Sequence, residues 1–103
     1  MWAQMISTRV KDGSDEGLQR LIQQLRAAEQ EGSGLIRTLV MRDQSDPAAL
    51  SMLVVFESEE AARARENDPR RSEGLAAARA TMAEIFDGPP SFTDFTVVDE
   101  YTP

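Results

Sequence analysis

The order of predicted elements constrains this chain most: strand, helix, two strands, helix and strand follow one another within 103 residues. Alternation along residues 2–10 predicts the first strand, with Trp2, Gln4 and Ile6 on one side. The strands predicted over 35–42 and 50–56 carry apolar residues on both sides. Because two helices cover only one face of a four-stranded sheet, the second apolar face predicts a partner subunit or a cavity.

Two helical regions separate the predicted strands. The first begins near Asp15 and ends before Gly32, with apolar residues spaced three or four apart. A short helix follows Ser58, and the main second helix restarts at Pro69, which is tolerated at a first helical position, and runs to Phe86. The last strand is predicted over 92–101.

Two β-α-β halves joined by a central hairpin predict an α+β, ferredoxin-like βαββαβ fold, a four-stranded antiparallel sheet with its helices on one face. The first and third strands are expected to be central. The length predicts one domain over residues 1–103. Each fully buried Leu, Val or Phe contributes roughly 1.5–3 kcal/mol, so two-fold pairing of sheets into a homodimer is the simplest way to bury the second face.

The composition excludes several classes of protein. The net charge is −7, and residues 84–103 contain five acidic side chains and no Lys or Arg, whereas nucleic-acid binding needs a basic face. No apolar stretch approaches the roughly 20 residues that cross a bilayer, so we expect no membrane association and a cytoplasmic location. The absence of Cys excludes disulfides and thiol chemistry.

Familiar catalytic and cofactor motifs are also missing. Without His or Cys the chain has no Ser-His-Asp or Cys-His nucleophile, and its glycines have neither dinucleotide nor phosphate-loop spacing. Asp43 and Asp46 are the nearest local carboxylate pair, but they lie in a predicted solvated turn, so no metal site is predicted. Glu57, Glu59 and Glu60 lie at a helix start, where the dipole favours acids regardless of function.

Four arginines form the densest basic stretch of the chain. Acidic residues are interleaved with them, which favours surface ion pairs, although guanidinium groups are also suited to clamping an anionic substrate. Both interpretations remain open for Arg63, Arg65, Arg70 and Arg71.

Polar residues inside apolar strands are the better candidates for a binding pocket, because burying them is costly unless they find partners. Gln4 and Thr8 share one strand side with Ile6, where they would present hydrogen-bonding groups to an apolar cavity, and Thr38 is a further candidate. The alternative is that they bond locally or face solvent.

The stretch VVFESEEAA at residues 54–62 resembles the signature of the antibiotic-biosynthesis-monooxygenase-like family of dimeric α+β barrels: a strand ending in an aromatic residue, then an acid-rich turn into an Ala-containing helix. This resemblance covers nearly the whole chain. It implies a homodimer with a pocket between sheet and helices, and, as in some members, oxidation of aromatic molecules by O₂ without metal, flavin or other cofactor. Other members degrade haem, but this chain lacks a His to serve as the usual axial ligand.

The resemblance also marks two positions of the implied pocket. Phe56 stands where many members have Trp or Tyr, and Arg65 stands where a His is common. The predicted ligand-binding residues are therefore Gln4, Thr8, Thr38, Phe56 and Arg65, and no catalytic residue is assigned.

Two functional classes follow. The first is a dimeric protein similar to the cofactor-independent monooxygenases, binding an apolar or aromatic small molecule. The second is a non-catalytic dimeric ligand-binding, regulatory or interaction module. A void lined by Gln4, Thr8 and Phe56 favours the first class, whereas a packed interior favours the second.

Overall fold

The computed structural model describes residues 1–103 and contains one four-stranded antiparallel sheet with the order β2-β3-β1-β4. The predicted ferredoxin-like α+β fold is confirmed, with β1 and β3 in the centre of the sheet. None of the helices is both long and apolar enough to span a membrane. The elements are β1 (Trp2–Arg9), α1 (Asp15–Ala28), β2 (Leu35–Arg42), β3 (Ala49–Phe56), α2 (Glu59–Glu66), α3 (Pro69–Gly74), α4 (Ala76–Ile85) and β4 (Ser91–Thr96).

The apolar core on the helix side of the sheet is divided into two clusters. The larger one joins the sheet to α1, α4 and the residue between α3 and α4, and the smaller one joins β1 and β3 to α2. The larger cluster comprises Val10, Leu18, Leu21, Ala28, Leu50, Leu75, Ala78 and Ile85, and the smaller comprises Trp2, Val54, Phe56 and Ala62.

The face of the sheet opposite the helices carries the second apolar surface that the sequence predicts. Register pairs Met5 with Leu53 and Leu53 with Leu39, so these side chains point to the same side. Leu39 and Phe95 are each 46% exposed, and Met41 is 37% exposed. We call this surface, formed by the outward side chains of all four strands, the open face.

The last strand is shorter than predicted. β4 ends at Thr96 rather than Tyr101, and Thr96 is paired with Trp2, the first residue of β1. One further bond joins the Val97 amide to the Met1 carbonyl at 3.1 Å. Val98 is then 95% exposed.

The helix predicted from Pro69 to Phe86 is divided at Leu75 into α3 and α4. Gly74 ends α3 where it crosses close to α1, and a Cβ there would lie 3.2 Å from the Cβ of Ala28. Glycine permits this approach and also weakens a helix interior. The close crossing therefore accounts for the interruption.

Candidate functional site

A cleft of about 580 Å³ separates the helix side of the sheet from the helices. Of its 23 lining residues 15 are hydrophobic, and its size lies within the range of small-molecule sites. Strand residues Ile6, Val40 and Met52 contribute to one wall, and helix residues Leu25 and Met82 to the other. The interior of the chain is therefore incompletely packed between its two apolar clusters.

Two aromatic rings form one end of this cleft. Trp2 and Phe56 are cross-strand partners, with ring centroids 6.0 Å apart and planes inclined by 48°. The guanidinium of Arg63 lies 5.0 Å from the Trp2 ring centroid, and that of Arg65 lies 5.2 Å from the Phe56 ring centroid. Both distances are within the range of cation–π attraction, which stabilises the aromatic end of the cleft.

Gln4 contributes a polar group to the wall of the cleft. Its Nε2 donates to Oδ1 of Asp94 at 2.9 Å, and Oδ2 of Asp94 accepts from Nη2 of Arg63 at 3.1 Å. This chain of hydrogen bonds orients the amide and leaves Gln4 Oε1 without a protein donor. Gln4 is thus a hydrogen-bond acceptor in a mainly apolar lining.

Thr38 lines the cleft because of an irregularity in β2. Leu35 and Thr38 are three residues apart and would lie on opposite sides of a regular strand. A β-bulge between Leu35 and Arg37 shifts the register, so that Leu35 is paired with Phe56 and Thr38 with Val54. Both side chains therefore reach the helix side of the sheet.

Arg65 and Glu29 form an ion pair in the lining of the cleft. Nε of Arg65 lies 3.1 Å from both carboxylate oxygens and Nη2 lies 2.6 Å from Oε1, with the side chains 15% and 24% exposed. Burial acts to raise the pKa of Glu29, but hydrogen bonds from Arg65 and Ser33 outweigh it and bring the pKa below its usual 4.5. Glu29 is therefore held as a carboxylate.

Three of the four clustered arginines form ion pairs, and two of them, Arg63 and Arg70, pair with acidic residues of the same stretch. Arg63 contacts Glu59 and Glu66 as well as Asp94, and Arg70 contacts Asp68 at 2.8 Å. The side chain of the fourth makes no hydrogen bond or ion pair with the protein. This exception is Arg71, which is half-buried and lines the cleft.

The structure brings four of the five predicted ligand-binding residues into one cleft: Gln4, Thr38, Phe56 and Arg65. Thr8 is not part of the lining, and its Oγ1 is 3.5 Å from the carbonyl oxygen of Arg9. The role of these residues in ligand binding stays a prediction.

Sequence reasoning missed other lining residues. Ile22, Leu25 and Met82 have the helical spacing of core residues, and a cleft lining and a core share that pattern. The sequence marked Arg71 as a possible anion-binding residue, but it marked the other three arginines of the basic stretch in the same way. At the β2–β3 turn Asp46 pairs with Arg9 at 2.8 Å, and no group of three or more Asp or Glu side chains is arranged to hold a metal ion.

A ferredoxin-like sheet with a cleft beneath its helices defines a class of α+β barrel proteins, and the sequence places the chain more narrowly. Residues 1–77 match the antibiotic biosynthesis monooxygenase family, so the chain belongs to this family. Its members are typically homodimers that form dimeric α+β barrels. No protein of curated function matches the chain in sequence.

Solved structures share the fold over nearly the whole chain. A mutant of MhuD with two manganese protoporphyrin IX bound per active site superposes with a TM-score of 0.80 at 19% identity, covering 100% of both chains. SnoaB, a cofactor-independent oxygenase from Streptomyces nogalater, gives a TM-score of 0.75 at 13% identity, covering 96% of this chain and 94% of SnoaB. Rv0793 from Mycobacterium tuberculosis gives 0.72 at 16%, covering 98% of each.

Proposed function

We propose that this protein is a cofactor-independent monooxygenase that binds an apolar, aromatic small molecule in the cleft and oxidises it with O₂. The observation that carries the proposal is the cleft itself, about 580 Å³ of mainly apolar space with one oriented amide at Gln4. Membership of the family and the fold shared with SnoaB, a cofactor-independent oxygenase, support it.

The lining restricts how such a reaction would begin. The chain has no His or Cys, and both carboxylates of the cleft are ion-paired, Glu29 with Arg65 and Glu66 with Arg63. No residue is therefore assigned as a general base. The substrate would ionise through its own acidity, as an acidic phenol does, and the cleft would hold the resulting anion away from bulk water.

Such a substrate supplies all the electrons. In the simplest balanced reaction one ring CH₂ becomes a carbonyl, one atom of O₂ forms the new C=O, and the other leaves as water with the two hydrogens. No external reductant is needed. The protein contributes shape, exclusion of water and a hydrogen-bonding group at Gln4.

The engaged carboxylates also favour a second candidate function, a non-catalytic dimeric ligand-binding or regulatory module. A cleft without a free base binds a ligand as well as a cleft with one. The monooxygenase and the non-catalytic module would bind the same apolar aromatic molecules, and only the monooxygenase would oxidise them.

We further propose that the protein works as a homodimer in which two open faces pack together. Leu39, Met41 and Phe95 are each more than a third exposed on this face, and apolar area buried in a dimer contributes about 25 cal/mol per Å². Two-fold pairing covers both open faces at once and leaves the cleft on the other side of each sheet free.

A thermal-shift screen with polycyclic phenols and quinones, followed by oxygen uptake with each hit, tests the function. We expect stabilisation by a hit, consumption of O₂ and a product heavier by one oxygen and lighter by two hydrogens. Stabilisation without oxygen uptake supports the non-catalytic module. No stabilisation across the panel contradicts both candidates.

A further inference from the structure

We infer that Arg71 recognises a carboxylate on the ligand, so that the cleft selects apolar aromatic molecules that carry a single negative charge. The inference rests on the proposed binding function of the cleft and narrows its ligand class. It does not depend on whether the bound molecule is oxidised.

The hydrogen bonds of the neighbouring arginines distinguish Arg71 from the rest of the cluster. Arg65 donates three hydrogen bonds to Glu29, and Arg70 donates to Asp68 from both side chain and backbone. The side chain of Arg71 donates none to the protein. Its guanidinium, which has five N–H donors, is thus the one in this stretch with its donors still free.

Burial makes this free guanidinium costly. Arg71 is half-buried, and burial, followed by the nearby cation of Arg65, lowers its pKa, while the carboxylates of Glu29 and Glu66 only partly oppose the effect. Neither carboxylate is hydrogen-bonded to it. A ligand carboxylate that accepts two of its N–H groups would supply the missing compensation.

The charge of the cleft is opposite in sign to that of the chain. Its lining contains three arginines and two glutamates and therefore carries one net positive charge, whereas the chain carries −7. One anionic group neutralises the lining, and a polyanion meets repulsion from the rest of the surface. The charge balance therefore favours a monoanion.

Arg71 lies where the apolar cleft meets a polar cavity, a position suited to a ligand with an aromatic body and a charged end. Arg71 lines the apolar cleft and also a smaller cavity of about 200 Å³, in which only two of twelve lining residues are hydrophobic. An aromatic body would lie against Leu25 and Leu75 in the cleft, with its carboxylate at this polar boundary.

Calorimetric titration with 2-naphthoate and its neutral isostere 2-naphthamide tests the inference. We expect the wild-type protein to bind the carboxylate about ten- to a hundredfold more tightly than the amide. Arg71→Gln should remove this preference by weakening only the carboxylate, and Arg71→Lys should retain part of it. Arg20→Gln is the matched control, because it removes the charge of an exposed arginine that lies outside the cleft lining.

The outcomes separate this inference from the proposed function. Equal binding of both compounds to the wild type overturns the role of Arg71 and leaves the apolar cleft intact. Binding of neither compound overturns the cleft and this inference together. A preference that persists in Arg71→Gln, or that is lost equally in Arg20→Gln, also overturns it. If Arg71→Gln does not fold, the wild-type ratio and Arg71→Lys decide.

Discussion

Nη2 of Arg65 lies 2.6 Å from Oε1 of Glu29, and Nε of Arg65 donates to the same carboxylate. Glu29 directly follows α1 and Arg65 is in the last turn of α2, so this pair joins two helices beside the cleft. The contact also engages the guanidinium that sequence reasoning assigned to ligand binding. Arg65 therefore supports the wall of the cleft, and Arg71 remains free to meet a ligand.

Arg65→Met should destabilise the fold by about 2 kcal/mol, because it leaves the carboxylate of Glu29 partly buried without its partner. Urea unfolding followed by circular dichroism measures the change. Arg20→Met is the control, since Arg20 and Glu84 form an exposed pair that should contribute under about 1 kcal/mol. Equal losses from the two substitutions would contradict a special role for the Arg65–Glu29 pair.

The same pair predicts how stability depends on pH. The pKa of Glu29 is lower in the folded chain than its usual 4.5, so the folded state favours the carboxylate. This contribution is fully present above pH 4.5 and is lost as the pH falls through the lower folded-state pKa. Unfolding free energies measured from neutral pH downwards should decline less steeply in Glu29→Gln than in the wild type. Parallel declines would show that Glu29 does not contribute.

The strand alternation in the sequence predicted which side chains share a face, but not where pairing ends. The pattern continues past Thr96 to Val98 and Tyr101, yet the pairing of β4 with β1 ends at Thr96 and Trp2, and Val98 and Tyr101 are exposed. The length of a strand is set by its partner, which the local pattern does not contain.

The site was predictable only in part for a similar reason. Gln4 could be placed because an unbroken alternation fixes its side, whereas the side taken by Thr38 depends on a bulge beside Leu35. Arg70 and Arg71 are adjacent residues of the same type, so the sequence does not distinguish them. Only the packing of α3 against its neighbours makes one of them ion-paired at the surface and the other half-buried in the cleft.

Leu39→Glu should dissociate the proposed homodimer, because it introduces a charge into the apolar open face that would be buried between subunits. Sedimentation velocity at micromolar concentration should show a dimer for the wild type and a monomer for this variant. Val40→Glu, at the next residue of β2 but on the helix side, should remain dimeric. A monomeric wild type would contradict the proposed pairing.

Gln4→Leu should weaken binding of a polycyclic phenol about tenfold while leaving the melting temperature close to that of the wild type, since Asp94 keeps its contact with Arg63. Fluorescence titration measures the affinity. Thr8→Val, on the same side of β1 but outside the cleft lining, should bind normally. Unchanged affinity in Gln4→Leu would remove Gln4 from the site.

The most direct test of the cleft as the binding site is a calorimetric titration of 2-naphthol into the wild type, Val40→Trp and Leu39→Trp. Val40 lines the cleft, so the indole should fill part of it, whereas Leu39 faces away. We predict saturable binding of one molecule per chain to the wild type and to Leu39→Trp, and at least about tenfold weaker binding to Val40→Trp. Undiminished binding to Val40→Trp, or no binding to the wild type, would contradict the cleft as the binding site.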